Sequence, residues 1–515
     1  MPLINTSLIS SEAALNPDDK LQVYCGLDTC VTLEVHGCIN SELRETTEPG
    51  PQLIYDFERG MQAPALEMMT RGFLVDPYQR RIAVESLQKR LIRVNSILQQ
   101  YASAVWGKPL NPNSPHQLKA FFYGPDGMGL PEVYLNFKGV RRVSTNREAL
   151  EKLSAYFYAV PIINAILCAK DLSRKISVLQ SEVDPDGRLR TSYNVASTET
   201  GRWSSSGNVW GGGTNLQNIT PELRRVFVSS PGYKLCNLDL QQAESWIVGL
   251  LVWQTVGDPS YLLACASGDL HTTVAQFVWP DITKGAFSNA RDAAEQIFYR
   301  QFSFRDMAKR GGHATNYYGK AGTVARHLKV EERIIADFQA SYFGAFPGIP
   351  KWHRWTSHQL GLHQRLTTPL GRRRHFFGRP GDDATLREAI AHSPQSVVGD
   401  LLNTALWRIW KFLREVELLA QVHDSIVFQY REGTEDQVLP KAMELCSIPI
   451  TVSNESGETR TIIIPSDCKV GWNWADDKIK TSRGETIINP NGLIKWKPGT
   501  KDGRRRAAGL DRVIS

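Results

Sequence analysis

The chain has 515 residues, of which 42% are hydrophobic and 22% are charged, and its formal net charge is +7. It is too long for one hydrophobic core, so we expect two to four subdomains. It has no run of 18 apolar residues and no signal-peptide pattern at its start, which excludes a membrane-spanning helix and predicts no contact with a membrane. The eight scattered cysteines are typical of free thiols in a reducing compartment, so we expect a cytoplasmic protein.

Helical periodicity dominates the first part of the chain. The pattern predicts a helix over residues 19–60 that Pro51 interrupts, and mostly helices over residues 61–185. A new helix is expected to begin near Pro115, with Ser114 as its N-cap.

The second part mixes strands and helices. Residues 233–253 are predicted to form a strand and then a helix, and residues 290–320 and 386–415 are predicted to be helical. Residues 419–430 have the pattern of two strands joined by a tight turn.

The basic charge is concentrated at the C-terminal end. Residues 477–515 contain ten Lys or Arg and four Asp or Glu, so the preceding residues are nearly neutral overall. We expect this segment to be a poorly ordered basic tail, which could bind DNA or a protein partner or could be only solvated.

Two aspartates are the most informative residues. Asp239 ends a predicted strand, and Asp424 lies in the turn of the predicted hairpin. Between them, four side chains recur every four residues and therefore share one face of a helix; they are Arg305, Lys309, His313 and Tyr317. Metal-dependent nucleotidyl transfer needs such groups, because Mg²⁺ prefers carboxylate oxygens and the cations neutralise a triphosphate.

Further motifs occur in a fixed order along the chain. They are Thr200-Gly-Arg-Trp-Ser-Ser205, Asn215-Leu-Gln-Asn-Ile219, Leu238-Asp-Leu-Gln-Gln-Ala-Glu244, Arg305-Asp-Met-Ala-Lys309 with Tyr317, Arg387 with Gln395 and Asp400, Val422-His-Asp424, and Gly471-Trp-Asn-Trp474. Together they resemble the family A DNA polymerases of the bacterial repair and phage replicative kind, from about residue 60 to 476.

The resemblance implies an α+β fold shaped like a right hand, with a palm that holds an antiparallel sheet, helical fingers and a helical thumb. The expected domains are an exonuclease remnant (1–60), the palm entry and thumb (61–185), the first part of the palm (186–260), the fingers (261–394), the second part of the palm (395–476) and the basic tail (477–515).

The resemblance also assigns the site residues. Asp239, Asp424 and the backbone carbonyl of Leu240 would hold two Mg²⁺ ions, for which Mn²⁺ can substitute. The residues expected to bind the dNTP are Arg305, Lys309, His313, Tyr317, His271, Glu244 and Gln242. Those expected to bind the primer-template DNA are Arg202, Asn215, Gln217, Asn218, Arg387, Gln395 and His423. Arg372, Arg373 and Arg374 form either a DNA-backbone patch or a solvated turn.

Glu244 would act as a steric gate against Tyr317 and so favour deoxynucleotides. Tyr317 or Tyr318 could be the residue that stacks on the base, and the periodicity favours Tyr317.

The chain departs from the family pattern at several positions. Ser425 stands where a glutamate is common, which predicts altered metal behaviour, and His313 replaces Phe or Tyr, which predicts changed dideoxynucleotide discrimination. Gly311 and Gly312 lie inside the nucleotide-binding helix, so that helix could be mobile or locally unwound. Gly207–Thr214 adds about six residues to the template-binding segment.

The N-terminal segment resembles the last motif of a 3′→5′ proofreading exonuclease, with Tyr24 and Asp28 as the usual pair. The earlier motifs have no counterpart upstream, and a two-metal nuclease that lacks most of its carboxylates should not cut. Either this segment is a truncated, vestigial domain, or a separate exonuclease or replisome protein docks there and supplies the rest.

The interpretation is a template-directed, primer-dependent DNA polymerase, phage-like and acting in DNA replication in the host cytoplasm, without proofreading of its own. One alternative is a single-subunit RNA polymerase or a reverse transcriptase, against which Glu244 argues. The other is a catalytically silent DNA-binding scaffold, against which the two aspartates with Arg305 and Lys309 argue.

Overall fold

The computed structural model of the chain describes residues 17–45, 50–137, 140–208, 212–284, 288–480 and 486–499. Within these residues the fold is α+β, as predicted, with one five-stranded sheet and several two- or three-stranded ones. No described helix is long and apolar enough to span a bilayer.

The described N-terminal part is helical. Its elements are α1 (Pro17–Glu45), α2 (Gly50–Gly60), α3 (Gln62–Arg71) and the strand β1 (Phe73–Val75). Pro51 is the second residue of α2, so the chain restarts a helix at the predicted break. The long helix α1 is exposed along most of its length, and even Leu33 is 72% exposed. This helix therefore adds little to the hydrophobic core.

A helical arm follows β1. Its elements are α4 (Pro77–Trp106), α5 (Pro115–Tyr123), β2 (Tyr134–Phe137), β3 (Val140–Val143), α6 (Arg147–Leu153) and α7 (Val160–Leu179). The arm has its own apolar core, which includes Leu98, Phe121 and Ile163. The predicted start at Pro115 is confirmed, because the Ser114 side chain accepts a hydrogen bond from the Gln117 backbone N–H.

Short strands lead from the arm to the centre of the molecule. They are β4 (Arg188–Leu189), β5 (Ser192–Asn194), β6 (Ser204–Ser206), β7 (Phe227–Val228) and the longer β8 (Tyr233–Leu240).

Helices then predominate up to residue 412. The elements are α8 (Ala243–Val256), α9 (Ser260–Ala266), α10 (Leu270–Val278), α11 (Ala290–Ala294), β9 (Ile297–Tyr299), β10 (Phe302–Ser303), α12 (Phe304–Asn316), α13 (Ala321–Leu328), α14 (Glu332–Ala345), α15 (Gly348–His363), β11 (Arg365–Thr367), β12 (Arg373–His375) and α16 (Asp383–Phe412). The helix predicted over 290–320 is wrong in its first half, where α11 and the β9–β10 hairpin precede α12. The helix predicted over 386–415 corresponds to α16.

The last part returns to strands. The elements are β13 (Glu417–Val422), β14 (Ser425–Arg431), α17 (Glu435–Cys446), β15 (Pro449–Ser453), β16 (Thr459–Ile463), β17 (Ser466–Gly471), β18 (Lys478–Lys480), β19 (Thr486–Ile488) and β20 (Ile494–Lys495). The hairpin predicted over 419–430 is confirmed as β13 and β14.

The central sheet has the order β13-β14-β8-β17-β20, and every neighbouring pair is antiparallel. Side chains of β8 alternate between its two faces. Cys236 and Leu238 enter the core that α8 and α16 build, whereas Leu235 enters the core on the other face. Asp239 shares the Leu235 face by this alternation, at the end of the strand.

The prediction of a poorly ordered tail from residue 477 is wrong for residues 486–499, which the structure describes. Strand β20 pairs with β17 as the edge of the central sheet, and the Trp496 N–H donates to the Cys468 carbonyl. Leu493 and Trp496 are buried. The prediction rested on the basic composition of the segment, whereas burial of these two apolar residues holds the segment against the sheet. Residues 500–515 lie outside the described residues.

Candidate active site

Asp239 and Asp424 are brought together by the pairing of β8 with β14. Ser425, the first residue of β14, lies opposite Asp239, and the Leu240 N–H donates to the Asp424 carbonyl with an N···O distance of 3.3 Å. His423 has a φ of 53°, which suits the tight turn between two antiparallel strands. Both aspartates line one cavity of about 490 Å³.

A third carboxylate lies on the other side of Asp239. Asp467 of β17 is opposite Asp239 in the sheet and lines the same cavity. Its carboxylate pairs with Lys495 of β20 at 2.8 Å. Asp467 was not predicted from the sequence, because only the register of β17 against β8 brings it to this edge, and register is not visible in a local pattern.

Among the described residues that line the cavity, the carboxylates are Asp239, Glu244, Asp424 and Asp467, and the permanent cations are Arg305 and Lys309. The Asp239 side chain is open to the cavity, but the surrounding protein partly dehydrates it and raises its pKa to about 6, and the charge of Asp424 contributes to that raised pKa. Burial also raises the pKa of Asp424, against the opposing effect of Arg202. Carboxylates in this state are stabilised by a bound cation.

The donor chemistry fits magnesium. Asp239, Asp424 and the Leu240 carbonyl offer hard oxygen ligands, which Mg²⁺ prefers. Among the described residues, no three His, Cys, Asp or Glu side chains converge to hold a metal ion by themselves. An ion held by the two aspartates would therefore complete its octahedron with water and substrate phosphates.

We expect Asp239→Asn to change how stability depends on pH in metal-free protein. Between about pH 4 and pH 6 the folded chain holds a proton on Asp239 that the unfolded chain has released, so the wild type loses stability as pH rises through this window. The variant lacks this loss. The difference in free energy of unfolding between the variant and the wild type should therefore shift in favour of the variant up to about pH 6 and then level off. Thermal unfolding across pH measures it. A constant difference between the two proteins would contradict the raised pKa.

Helix α12 forms the opposite wall of the cavity. It begins after Ser303, whose hydroxyl accepts a hydrogen bond from the Asp306 N–H. Arg305, Lys309 and His313 line the cavity, as the four-residue spacing predicts. Lys309 is exposed and makes no ion pair with any residue that the structure describes. Arg305 is held by Asp269, the N-cap of α10, at 3.0 Å.

His271 lies beside these cations, in the first turn of α10. Burial and the charges of Arg305 and Lys309 lower the pKa of His271 to about 4. Its imidazole is therefore neutral near pH 7 and can donate one hydrogen bond without adding charge.

Glu244 of α8 lines the cavity and contacts residues from two different segments. Its carboxylate accepts a hydrogen bond from the Tyr317 hydroxyl at 2.6 Å and from the Arg202 guanidinium at 2.5 Å. The same guanidinium nitrogen of Arg202 lies 3.4 Å from Asp424. The Glu244–Tyr317 contact that the steric-gate interpretation requires is thus present, while exclusion of the ribose 2′-hydroxyl stays a prediction.

The two tyrosines at the end of α12 occupy different environments. The Tyr317 ring packs edge-on against His313, with centroids 4.8 Å apart. Tyr318 has a φ of 60° and packs against His353, away from Glu244. This arrangement favours Tyr317 as the base-stacking residue.

The glycines of α12 have a packing role. The helix is continuous from Phe304 to Asn316, so the local unwinding considered from the sequence does not occur. A Cβ atom on Gly311 would lie 2.7 Å from the Phe338 ring, and one on Gly312 would lie 3.3 Å from Tyr342. Both aromatic residues belong to α14, so the glycines let α14 pack closely against α12.

Replacing Gly311 with alanine should therefore destabilise the protein. We expect overpacking against Phe338 to cost about 1–3 kcal/mol, which exceeds the gain of up to ~1 kcal/mol from alanine's helix propensity. Gly361→Ala on α15 is the matched control, since its Cβ would meet no atom within 4 Å, and it should be neutral or stabilising. Thermal unfolding of both variants checks this, and an equal response would refute the packing role.

The segment expected to bind the template is connected to the catalytic turn by hydrogen bonds. Asn215 exchanges hydrogen bonds with Ser205, and Gln217 donates to the side chain of Gln421 at 2.8 Å. Gln421 in turn donates to the His423 carbonyl. Gln421 was missed because it belongs to no motif and is identified only by these contacts.

The remaining predicted DNA-binding residues are accessible to different degrees. Asn218, Arg387 and His423 are exposed and Gln395 is half-buried. Gln242, expected at the nucleotide, lines the cavity and has a φ of 53° at the start of α8. Of the glycine-rich insert 207–214, residues 209–211 lie outside the described residues.

The DNA-backbone patch considered for Arg372–Arg374 is wrong for Arg372. Its side chain is only 8% exposed and forms ion pairs with Asp400 and Glu58. Arg374 is also mostly covered and pairs with Glu199 and Glu388.

An antiparallel sheet that presents two aspartates to the same cavity as a helix of cations is the arrangement expected of a metal-dependent nucleotidyl transferase. The chain belongs to DNA polymerase family A, whose family model matches residues 81–476, as the motifs predicted.

Known relatives agree with this assignment. The chain is 27% identical over 485 residues to DNA polymerase I of Chloroflexus aurantiacus, an alignment that covers 89% of this chain and 47% of the relative. It is also 27% identical over 432 residues to the thermostable DNA polymerase I of Thermus aquaticus, covering 79% of this chain and 48% of the relative. The chain thus spans about half the length of these curated relatives.

A solved structure shares the fold. The POL domain of Pol1 from M. smegmatis, in complex with a DNA primer-template and dNTP, matches with a TM-score of 0.66 and 24% identity. The match covers 87% of this chain and 74% of that one.

Proposed function

We propose that this chain is a template-directed, primer-dependent DNA polymerase that adds dNTPs to a primer 3′-hydroxyl. The observation that carries the proposal is the cavity in which Asp239 and Asp424 face the cations of α12. The family assignment supports the same chemistry.

In this proposal Asp239, Asp424 and the Leu240 carbonyl would hold two Mg²⁺ ions. Such ions, when bound, would supply a lower pKa for the primer hydroxyl and a positive charge beside the leaving pyrophosphate. Arg305, Lys309 and the neutral His271 bind the triphosphate from the opposite wall.

The side chains predicted to contact DNA suit an enzyme that binds any sequence. Arg and Gln side chains can donate to the N3 and O2 acceptors of the minor groove, which every base pair presents. His423 and Gln395 would contact the primer-template near the catalytic turn. Arg202, by contrast, is engaged with Glu244 and Asp424 in this structure, so its contact with DNA requires those ion pairs to loosen.

We also propose that the chain has no proofreading activity of its own. Tyr24 and Asp28, which resemble an exonuclease pair, lie one turn apart on the exposed helix α1. Among the described residues no cluster of carboxylates accompanies them. A separate exonuclease or replisome protein could dock on α1 or the C-terminal segment.

The glycine-rich insert and His313 favour a role in phage DNA replication, in the host cytoplasm.

Primer extension on a defined template, with Mg²⁺ varied, tests the main proposal. We expect extension only with template, primer, dNTP and Mg²⁺ or Mn²⁺ together. Binding of primed DNA without extension would instead indicate the silent scaffold. A primer with a mismatched 3′ end, incubated without dNTP, should keep its length, and shortening of that primer would contradict the absence of proofreading.

We expect Glu244→Ala to weaken the preference for deoxynucleotides. Removing this side chain opens the space beside Tyr317, so the ratio of dNTP to rNTP incorporation should fall by about tenfold to a hundredfold. Glu244→Gln keeps the volume and should keep most of the preference. Because the measurement is a ratio, a general loss of activity through Arg202 does not affect it. An unchanged ratio in the alanine variant would exclude Glu244 as the gate.

A further inference from the structure

We propose that Glu58 of α2, through a buried ion cluster with Arg372 and Asp400, positions Arg202 at the active site. Glu58 lies outside residues 81–476, which the family model matches. The inference rests on the proposed polymerase function, and it connects α2 to the polymerase site.

The cluster engages all three nitrogens of the Arg372 guanidinium group. The Arg372 Nη2 lies 2.7 Å from Asp400, its Nε donates to the same carboxylate at 3.2 Å, and its Nη1 lies 2.5 Å from Glu58. The Asp400 side chain is 4% exposed and that of Glu58 is 25% exposed. A buried charge held by several hydrogen bonds has little freedom to move, and removal of one partner disturbs it strongly.

The face of this guanidinium lies against the backbone of Gly201. A Cβ atom on Gly201 would lie within 2.4–2.6 Å of three guanidinium atoms of Arg372, and Gly201 has a φ of 75°. Only glycine accepts both the conformation and the close approach. Arg372 therefore sets the position of the residue that immediately precedes Arg202.

Helix α16 holds the same turn from a second direction. The Asn403 side chain donates to the Gly201 carbonyl at 3.2 Å, and a Cβ on Gly399 would lie 3.3 Å from the Arg202 Cγ. The Thr198 hydroxyl donates to the Arg202 carbonyl at 2.6 Å. The end of the Arg202 side chain contacts its two carboxylate partners, Glu244 and Asp424.

A chain of direct contacts thus connects α2 to the catalytic carboxylates. It runs from Glu58 to Arg372, then to the turn at Gly201, and through Arg202 to Glu244 and Asp424. α2 is anchored at its other end as well, because Gly50 packs against Gly371, where a Cβ atom would lie 2.8 Å from the Gly371 carbonyl oxygen. Glu58 is accordingly a positioning residue that acts through Arg372 and touches no substrate.

The test uses Glu58→Gln in the full chain, which removes the charge and keeps the size. The matched control is Glu435→Gln, since Glu435 pairs at 2.9 Å with the buried Lys234 at the far end of β8 and has no contact with Arg202. Two readouts are needed, hydrogen–deuterium exchange of residues 198–206 and primer-extension kinetics.

We expect Glu58→Gln, and not the control, to accelerate exchange in residues 198–206 severalfold. We also expect it to lower kcat about tenfold with a smaller effect on the dNTP KM. In an Arg202→Ala background the same substitution should have no further effect on kcat, because Glu58 acts on the site only through Arg202, which this background lacks.

Unchanged exchange in residues 198–206, or an equal loss of kcat with and without Arg202, would overturn the proposal. Equal losses of kcat in Glu58→Gln and Glu435→Gln would do the same, since they would indicate general destabilisation. If the wild-type chain extends no primer at all, the proposed function fails, and the exchange measurement alone still decides whether Glu58 positions the turn.

Discussion

Asp424→Asn is expected to abolish primer extension while leaving DNA binding nearly unchanged. Asparagine keeps the size of the side chain and the β13–β14 turn, but it removes the charge that binds a divalent ion. Stabilisation of transition-state charge by a metal is worth several kcal/mol, so kcat should fall by about a thousandfold or more. The same reasoning applies to Asp239→Asn.

The measurement is single-turnover extension of a labelled primer, accompanied by the Kd for primed DNA from fluorescence anisotropy. Asp476→Asn is a suitable control, since Asp476 pairs with Lys469 on the exposed surface and lines no part of the cavity. Its kcat should match that of the wild type. If Asp424→Asn retained wild-type kcat, the site assignment would fail, whereas a large loss of DNA affinity would indicate a structural effect.

The sequence predicted these two aspartates because each follows a strand pattern and lies in a recognisable motif. Strand alternation and turn position are local properties, so the amino-acid sequence alone is enough to place Asp239 and Asp424 at strand ends. The helical face of α12 was predictable for the same reason, since a spacing of four residues is enough to define it.

Other parts of the site depend on contacts between distant segments. Asp467 reaches the cavity only through the register of β17 against β8, and β20 joins the sheet although its surroundings are basic and rich in glycine and proline. Arg372 resembled a surface cation in sequence, yet Asp400 and Glu58, which lie 28 and 314 positions away, make it a buried one. Local patterns carry no information on such pairings.

The glycines of α12 show the same limit. A helix propensity scale makes Gly311 and Gly312 sources of weakness, and only the aromatic side chains of α14 against them reveal why small residues are required. Helix propensity disfavours glycine at these two positions, whereas close packing of α12 against α14 requires it. The helix keeps its glycines because the packing requirement is the stronger of the two.

Lys309→Ala is expected to weaken nucleotide use strongly, whereas Arg310→Ala should not. The two cations are neighbours on α12 and both are exposed, but Lys309 lines the cavity opposite the aspartates. Arg310 lies over the Phe302 ring instead. A charge-assisted hydrogen bond to phosphate contributes about 1.5–3 kcal/mol, so kcat/KM for dNTP should fall by about tenfold to more than a hundredfold in Lys309→Ala.

This pair of variants separates a specific contact from a general electrostatic effect. Both substitutions remove one positive charge from the same helix, so a loss caused only by net charge would be equal in the two proteins and would shrink in parallel as salt is raised. Single-nucleotide incorporation over a range of dNTP concentrations gives kcat and KM for each variant. If Lys309 bonds directly to the triphosphate, kcat/KM for dNTP should be at least about tenfold lower in Lys309→Ala than in Arg310→Ala. Equal values would mean that only Arg305 and His271 bind the triphosphate.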